Sequence, residues 1–168
     1  MLAKRLHLTV PADTVAVTAP HADWSAHTFT VNRFRYIILT NSYSLLSVVL
    51  HGSGITSDDT FIRASLAGLR DYMDRSGRAF AYETFIAPAA AAVRFARIPD
   101  RRIMGSINEL VFLATVDLVE GGLAPAEVTE RLSRVPMSML WRRSDASSPD
   151  LAFDQMPRAL PDRRGPTE

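Results

Sequence analysis

Cysteine is missing from all 168 residues, and lysine occurs only at Lys4. The first absence excludes a disulfide framework, a thiolate zinc site, an iron–sulfur cluster and a cysteine nucleophile. It says little about compartment, because a thiol-free chain folds equally well on either side of a membrane. The second leaves arginine as 18 of the 19 basic side chains. Arginine's planar fork suits phosphate and carboxylate recognition, while a coding sequence rich in G and C produces the same bias together with many alanines. Long apolar runs are missing as well. The longest, residues 110–119, contains Thr115 and Asp117 and is about half the ~20 residues of a spanning helix. Lys4 and Arg5 interrupt the amino-terminal apolar residues and Pro11 follows, so no signal-peptide core fits there. The expected address is the cytoplasm, with no membrane partner. A net charge of +1 argues against a duplex nucleic acid partner, which needs a strongly positive field.

What is present describes a globular chain, 47% hydrophobic and 22% charged, long enough to build a core without metal or disulfide staples. Residues 6–10 alternate and can start a sheet, and residues 11–22 read as a loop. Residues 27–31 alternate, Asn32-Arg33 can make a tight turn, and residues 34–40 are dense in β-formers. Asn41-Ser42 offers a second turn before a third run over residues 44–50. Three strands with short connections imply an antiparallel meander.

At Ser57 the period changes to three- and four-residue steps through Phe61, Ser65, Leu69 and Tyr72. Ser57 suits the N-cap, Asp58 and Asp59 complement the helix dipole, and Gly77 is placed to end the helix. Residues 78–97 are ambiguous. Pro88 and four alanines could open a helix, whereas residues 93–97 alternate like a strand, the form favoured there. Ser106 and Glu109 have the spacing of a capping box, predicting a helix that starts at Ser106. Its apolar residues cover most of the circumference, the pattern of a helix buried in the middle of a fold. Gly121-Gly122 ends it, Pro125 with Glu127 starts a shorter helix to about Arg134, and residues 136–141 form an apolar segment expected to pack back on the domain. From Ser144 onward four of the ten prolines fall among Asp, Arg and Ser, which predicts a flexible tail over 144–168 after a single domain over 1–143. That tail holds five acids and three bases, leaving the domain with 16 bases and 13 acids, or +3.

The strongest local signal is residues 101–109. A glycine just before a helix start leaves backbone N–H groups open beside the dipole's positive end. Arg101 and Arg102 could fold back to complete a pocket for a phosphate or carboxylate, with Gly105, Ser106 and Asn108 supplying polar groups. The simpler account is that Ser106 and Glu109 only cap, Gly105 only turns the chain, and the arginines sit in solvent. His21, Asp23 and His27 lie within seven residues, yet their spacing fits no familiar metal site, so neither a metal nor another cofactor is expected. Trp24 and His27 read instead as the start of the sheet, with the indole packed and its N–H hydrogen bonded. His51 beside Gly-Ser-Gly could be exposed at a strand end, and neither Gly52-Ser53-Gly54 nor Gly105-Ser106 is a nucleophile elbow. Phe29, Arg33, Phe34, Arg35 and Tyr36 would suit stacking of a single strand, and an ordinary hairpin predicts the same residues.

Two separated stretches together resemble a bacterial family of domains of unknown function. The first is Trp24-Ser25-Ala26-His27-Thr28-Phe29, the strand at 33–39, Thr40-Asn41 and the strand at 45–50; the second is Arg101-Arg102 through Gly105-Ser106-Ile107-Asn108-Glu109, with residues 136–140 downstream. The chain departs from the family's pattern at His27, where Asn is expected, and at Glu109, where Asp is commoner. The resemblance implies no activity. It does imply a shared site around Trp24, Asn41, Arg102, Gly105, Ser106 and Asn108.

These readings predict an α+β domain with an antiparallel sheet of three to five strands packed against two to four helices, the Ser57 and Ser106 helices on one face. The leading functional reading is a non-catalytic binding or interaction module for an anionic ligand or protein partner, using Arg101, Arg102, Gly105, Ser106 and Asn108 with Trp24, His27 and Asn41. The alternative is an enzyme acting on a phosphate- or carboxylate-bearing substrate, with His27 or His51 as acid/base. A third reading is self-association through a strand edge or residues 137–141.

Overall fold

A computed structural model describes residues 19–96, 98, 100–141 and 145–157. The strand expected at 6–10 and the end of the expected tail, 158–168, lie outside them, as does most of the loop expected at 11–22. A 3-10 turn, Pro20–Ala22, leads into three strands, β1 (Trp24–Val31), β2 (Phe34–Asn41) and β3 (Ser47–His51). They form an antiparallel sheet in the order β1-β2-β3. Asn32 and Arg33 take φ of 48° and 71°, the left-handed pair of a two-residue hairpin turn whose twist matches the strands it joins.

The first long helix starts where polar side chains take up free backbone N–H groups. In α1 (Asp58–Arg75) the Ser57 side chain accepts from the Thr60 amide, and the Thr60 hydroxyl answers the Ser57 amide. Gly77, at φ 74°, lets the chain leave the helix. An irregular helical segment follows, Ala79–Ala81, a π-turn Tyr82–Ile86 and a 3-10 turn Pro88–Ala92. The strand expected at 93–97 is not seen in residues 93–96. Their alternation has another cause: Phe95 packs its ring on Phe61 while Arg94 stays in solvent, and one inward anchor in extended chain reproduces the pattern. The long α2 (Arg101–Val119), α3 (Pro125–Ser133), the short α4 (Ser138–Trp141) and α5 (Pro149–Asp154) complete the α+β fold. Among the described residues no helix is long and apolar enough to cross a membrane.

The sheet is covered on both faces. Phe29, Val31, Tyr36, Ile38 and Val49 share one core with Ile103, Ile107 and Leu110 of α2 and Val128 and Leu132 of α3. Ile37, Leu39 and Val48 turn the other way, to Phe61, Leu69, Tyr72 and Met73 of α1 and to Tyr82, Ile86 and Phe153. The Ser57 and Ser106 helices, expected on one face, therefore lie on opposite faces. The reason is in β2: Ile37-Ile38-Leu39 is apolar on both sides of the pleat, so both sides need a cover. Thr129 of α3 also accepts a hydrogen bond from the Val49 amide at 2.9 Å, blunting the free edge of β3.

The first part of the expected tail belongs to the domain. Phe153 is 1% exposed and Ala146 and Ala152 are buried, the Met137 amide donates to the Ser147 carbonyl, and Arg78 grips Asp154 with two hydrogen bonds. The polar composition after Ser144 hid these few apolar anchors.

Candidate functional site

Apart from His27, the predicted site residues fall into two groups that the fold does not join. Trp24 and Asn41 are direct partners across β1 and β2. Asn41 is buried, and its side chain donates to the carbonyls of Pro20 and Asp23 while its oxygen accepts from the amides of Tyr43 and Ser44 and the Ser44 hydroxyl. The Trp24 indole donates to the His21 carbonyl at 2.8 Å, as expected of a packed indole. Both side chains tie the Pro20–Ala22 turn to the sheet. Beside them, the hydroxyls of Thr40 and Ser47 pair at 2.8 Å and those of Ser25 and Ser42 at 3.1 Å. Donors and acceptors here serve one another, which holds a buried polar cluster together at little net cost. Asn41 thus has no polar group left to offer a ligand.

The second group lies on α2, whose start corrects the predicted pocket. The helix begins at Arg101, and its N-cap is Asp100, which accepts from the Arg102 amide at 2.7 Å. Gly105 and Ser106 lie inside the helix, so they offer no free N–H groups to an anion. Burial of Ile103 together with Ile107 draws the earlier turn into the helix. An exposed glycine there costs only about 1 kcal/mol, too little to stop it. The Ser106 hydroxyl points inward and donates to Met139 Sδ at 3.3 Å. Glu109 is exposed and caps nothing. Arg101, Gly105 and Asn108 point outward on one stripe, and Arg102 is exposed at its flank.

That stripe continues through apolar residues whose pattern predicts the interior. Phe112 is 67% and Val119 48% exposed, and Val116 between them is only partly buried. An all-round apolar helix suggested full burial; instead one side meets the sheet and the opposite side is open. The clue lay in the spacing 105, 108, 112, 116, 119, which is a second helical face. Arg101 and Arg102 form no ion pair among the described residues.

The three histidines among the described residues, His21, His27 and His51, do not assemble. His21 is buried, stacked on Phe85 at 4.3 Å and edge-on to Phe153, and burial lowers its pKa. His27 lies on the α2 side of the sheet, opposite Ile38, and its pKa is also lowered by burial. His51 is exposed at the end of β3 against Tyr36. His21 and His27 thus serve opposite faces, and among the described residues no cluster of three His, Asp or Glu side chains could hold a metal. The aromatic residues of the hairpin are likewise divided: Phe29 stacks on Tyr36 inside the core and Phe34 is exposed at the tip.

A cleft of about 250 Å³ opens between α1, α3 and α5, with Arg75, Arg78 and Arg134 on its walls. Arg75 is already paired with Asp71 and Glu130, and Arg78 with Asp154. Asp71 and Asp154 together with Glu130 and Asp150 on the walls outweigh the three arginines, so no excess of positive charge is left to draw an anion.

No curated protein and no solved structure matches the chain significantly. A family model described as a domain of unknown function, DUF6933, does match, over residues 1–150, and the chain belongs to that family.

Proposed function

We propose that this domain is a non-catalytic binding or interaction module whose contact surface is the outward face of α2. One observation carries the reading: Phe112 stands 67% exposed in the middle of a long helix, on a face that begins with two arginines unpaired among the described residues. An uncovered aromatic on the same helix face as free guanidinium groups is the composition of interface hot spots. It suits a partner that is apolar at its centre and acidic at its edge. The anionic contact thus moves from the backbone of Gly105 and Ser106 to the side chains of Arg101 and Arg102, with Asn108 between them and Phe112. Trp24 and Asn41 support the sheet beneath.

The enzyme alternative gains no specific observation. The Ser106 hydroxyl is engaged by Met139, and His27 and His51 sit two strands and two register steps apart, roughly 12 Å by strand geometry.

The test is a titration of the isotope-labelled protein, followed by amide chemical shifts, with inorganic phosphate and with a short acidic peptide carrying leucine and phenylalanine. The peptide is expected to shift residues 101–119 and phosphate alone to shift only their first turn. Phe112→Ser, or Arg101→Ala with Arg102→Ala, should weaken the peptide by about tenfold without moving the urea midpoint. Shifts that map elsewhere, or variants that bind like the parent, would end this reading.

A further inference from the structure

We propose that the outward face of α2 docks against a second copy of the same chain, antiparallel across a two-fold axis near residue 111. The inference rests on the reading of this face as a contact surface and names its occupant. A two-fold interface must be complementary to itself when turned end for end, and this stripe is. Its amino-terminal half carries Arg101 and Arg102, exposed, and Gly105, where an added Cβ would meet nothing within 4 Å. Its carboxy-terminal half carries the apolar Phe112, Val116 and Val119 and ends at the exposed Glu120. Reversal lays Val116 over the flat patch at Gly105 and brings the two Phe112 rings together near the axis.

The end charges fall into register by the same operation, with the exposed Glu109 of each copy on the same flank nearer the axis. Arg102 and Glu120 are 18 residues apart, five full turns at 3.6 residues per turn, so they share one flank of the stripe. A two-fold axis perpendicular to the helices keeps each flank on its own side. Arg102 of each copy therefore meets Glu120 of the other, and neither has an ion pair within its own chain among the described residues. Antiparallel packing also opposes the helix dipoles favourably. The 19-residue helix is about 28 Å long, and one face of that length covers less than the roughly 800 Å² per partner of a standard stable interface. The dimer is accordingly weak and concentration dependent.

The experiment is sedimentation equilibrium and light scattering on the full chain from low micromolar to millimolar concentration. The mass should rise from 18.6 kDa toward twice that value. Phe112→Asp should hold it at the monomer mass throughout. Arg102→Glu should weaken association by about tenfold through like-charge contact with Glu120, and adding Glu120→Arg to the same chain should restore it. A parent that stays monomeric, a Phe112→Asp variant that still dimerises, or a double variant that does not recover would overturn the proposal. A soluble paramagnetic probe separates the two readings in a monomeric parent. Broadening of Phe112 and Val119 signals sinks self-docking alone and leaves the face open to another partner; protection of those signals means the chain's own ends cover it, and both readings fall.

Discussion

Asn41 illustrates how a residue type chosen for chemistry can serve structure. A buried side-chain amide with its donors and acceptor filled fixes the turn after β2, where Leu45 is held in the core at φ 62°. Sequence marked Asn41 as a turn residue and, through resemblance, as part of a site. Only the partners 18 to 21 positions earlier show which role it plays. His21 is the opposite case, a titratable ring placed where its charge is unwelcome. It is packed between Phe85 and Phe153, and its Nδ1 has no hydrogen-bond partner among the described residues. Burial lowers its pKa. Above about pH 6.5 the ring is neutral in both folded and unfolded chains; below that the unfolded chain takes up a proton that the folded chain resists. Stability therefore falls as pH drops below about 6.5, until the lower folded pKa is passed. His21→Phe should flatten this decline, leaving the part due to His27, when urea midpoints are compared at neutral and mildly acidic pH.

The start of α2 is set by more than its local cap signals. A Gly-Ser pair three residues before a glutamate has the look of a helix start, but the outcome depends on what the preceding turn can bury. Ile103 buries against the sheet, a gain of about 2 kcal/mol, which exceeds the cost of one glycine within the helix. Asp100 then supplies the cap. Because Gly105 is exposed with open space around it, Gly105→Ala should raise stability by about 0.5–1 kcal/mol, measured by urea unfolding at a concentration where the chain is monomeric. A glycine needed to turn the chain would give a loss instead. Gly68 marks the contrast, since its added Cβ would lie 2.3 Å from Leu50, and it lets α1 approach β3. Local signals elsewhere were sufficient: the Ser57 cap, the Asn32-Arg33 turn and the Pro125 start all depend on groups within a few residues.

At the scale of the molecule, the end of the described chain changes meaning. Residues 145–157 read as tail because proline, aspartate and serine are scattered through them, yet Phe153 fills the core between α1 and the Pro20–Ala22 turn and Asp154 anchors Arg78. Phe153→Ala should cost about 3–5 kcal/mol, as for a large buried aromatic, seen as a lower urea midpoint; a flexible tail would lose nothing measurable. The division between local and distant causes runs through the whole chain. Periodicity, turns and caps within a few residues of one another fixed the three-stranded meander and most of the helices, because strands and caps are selected by neighbours along the chain. Three matters depended on residues far apart. One is the assignment of α1 and α2 to opposite faces. Another is the hidden docking of Phe153. The last is the exposure of Phe112. Burial is a property of the surface that packs against a side chain, and no local pattern on an all-round apolar helix says which side will find one.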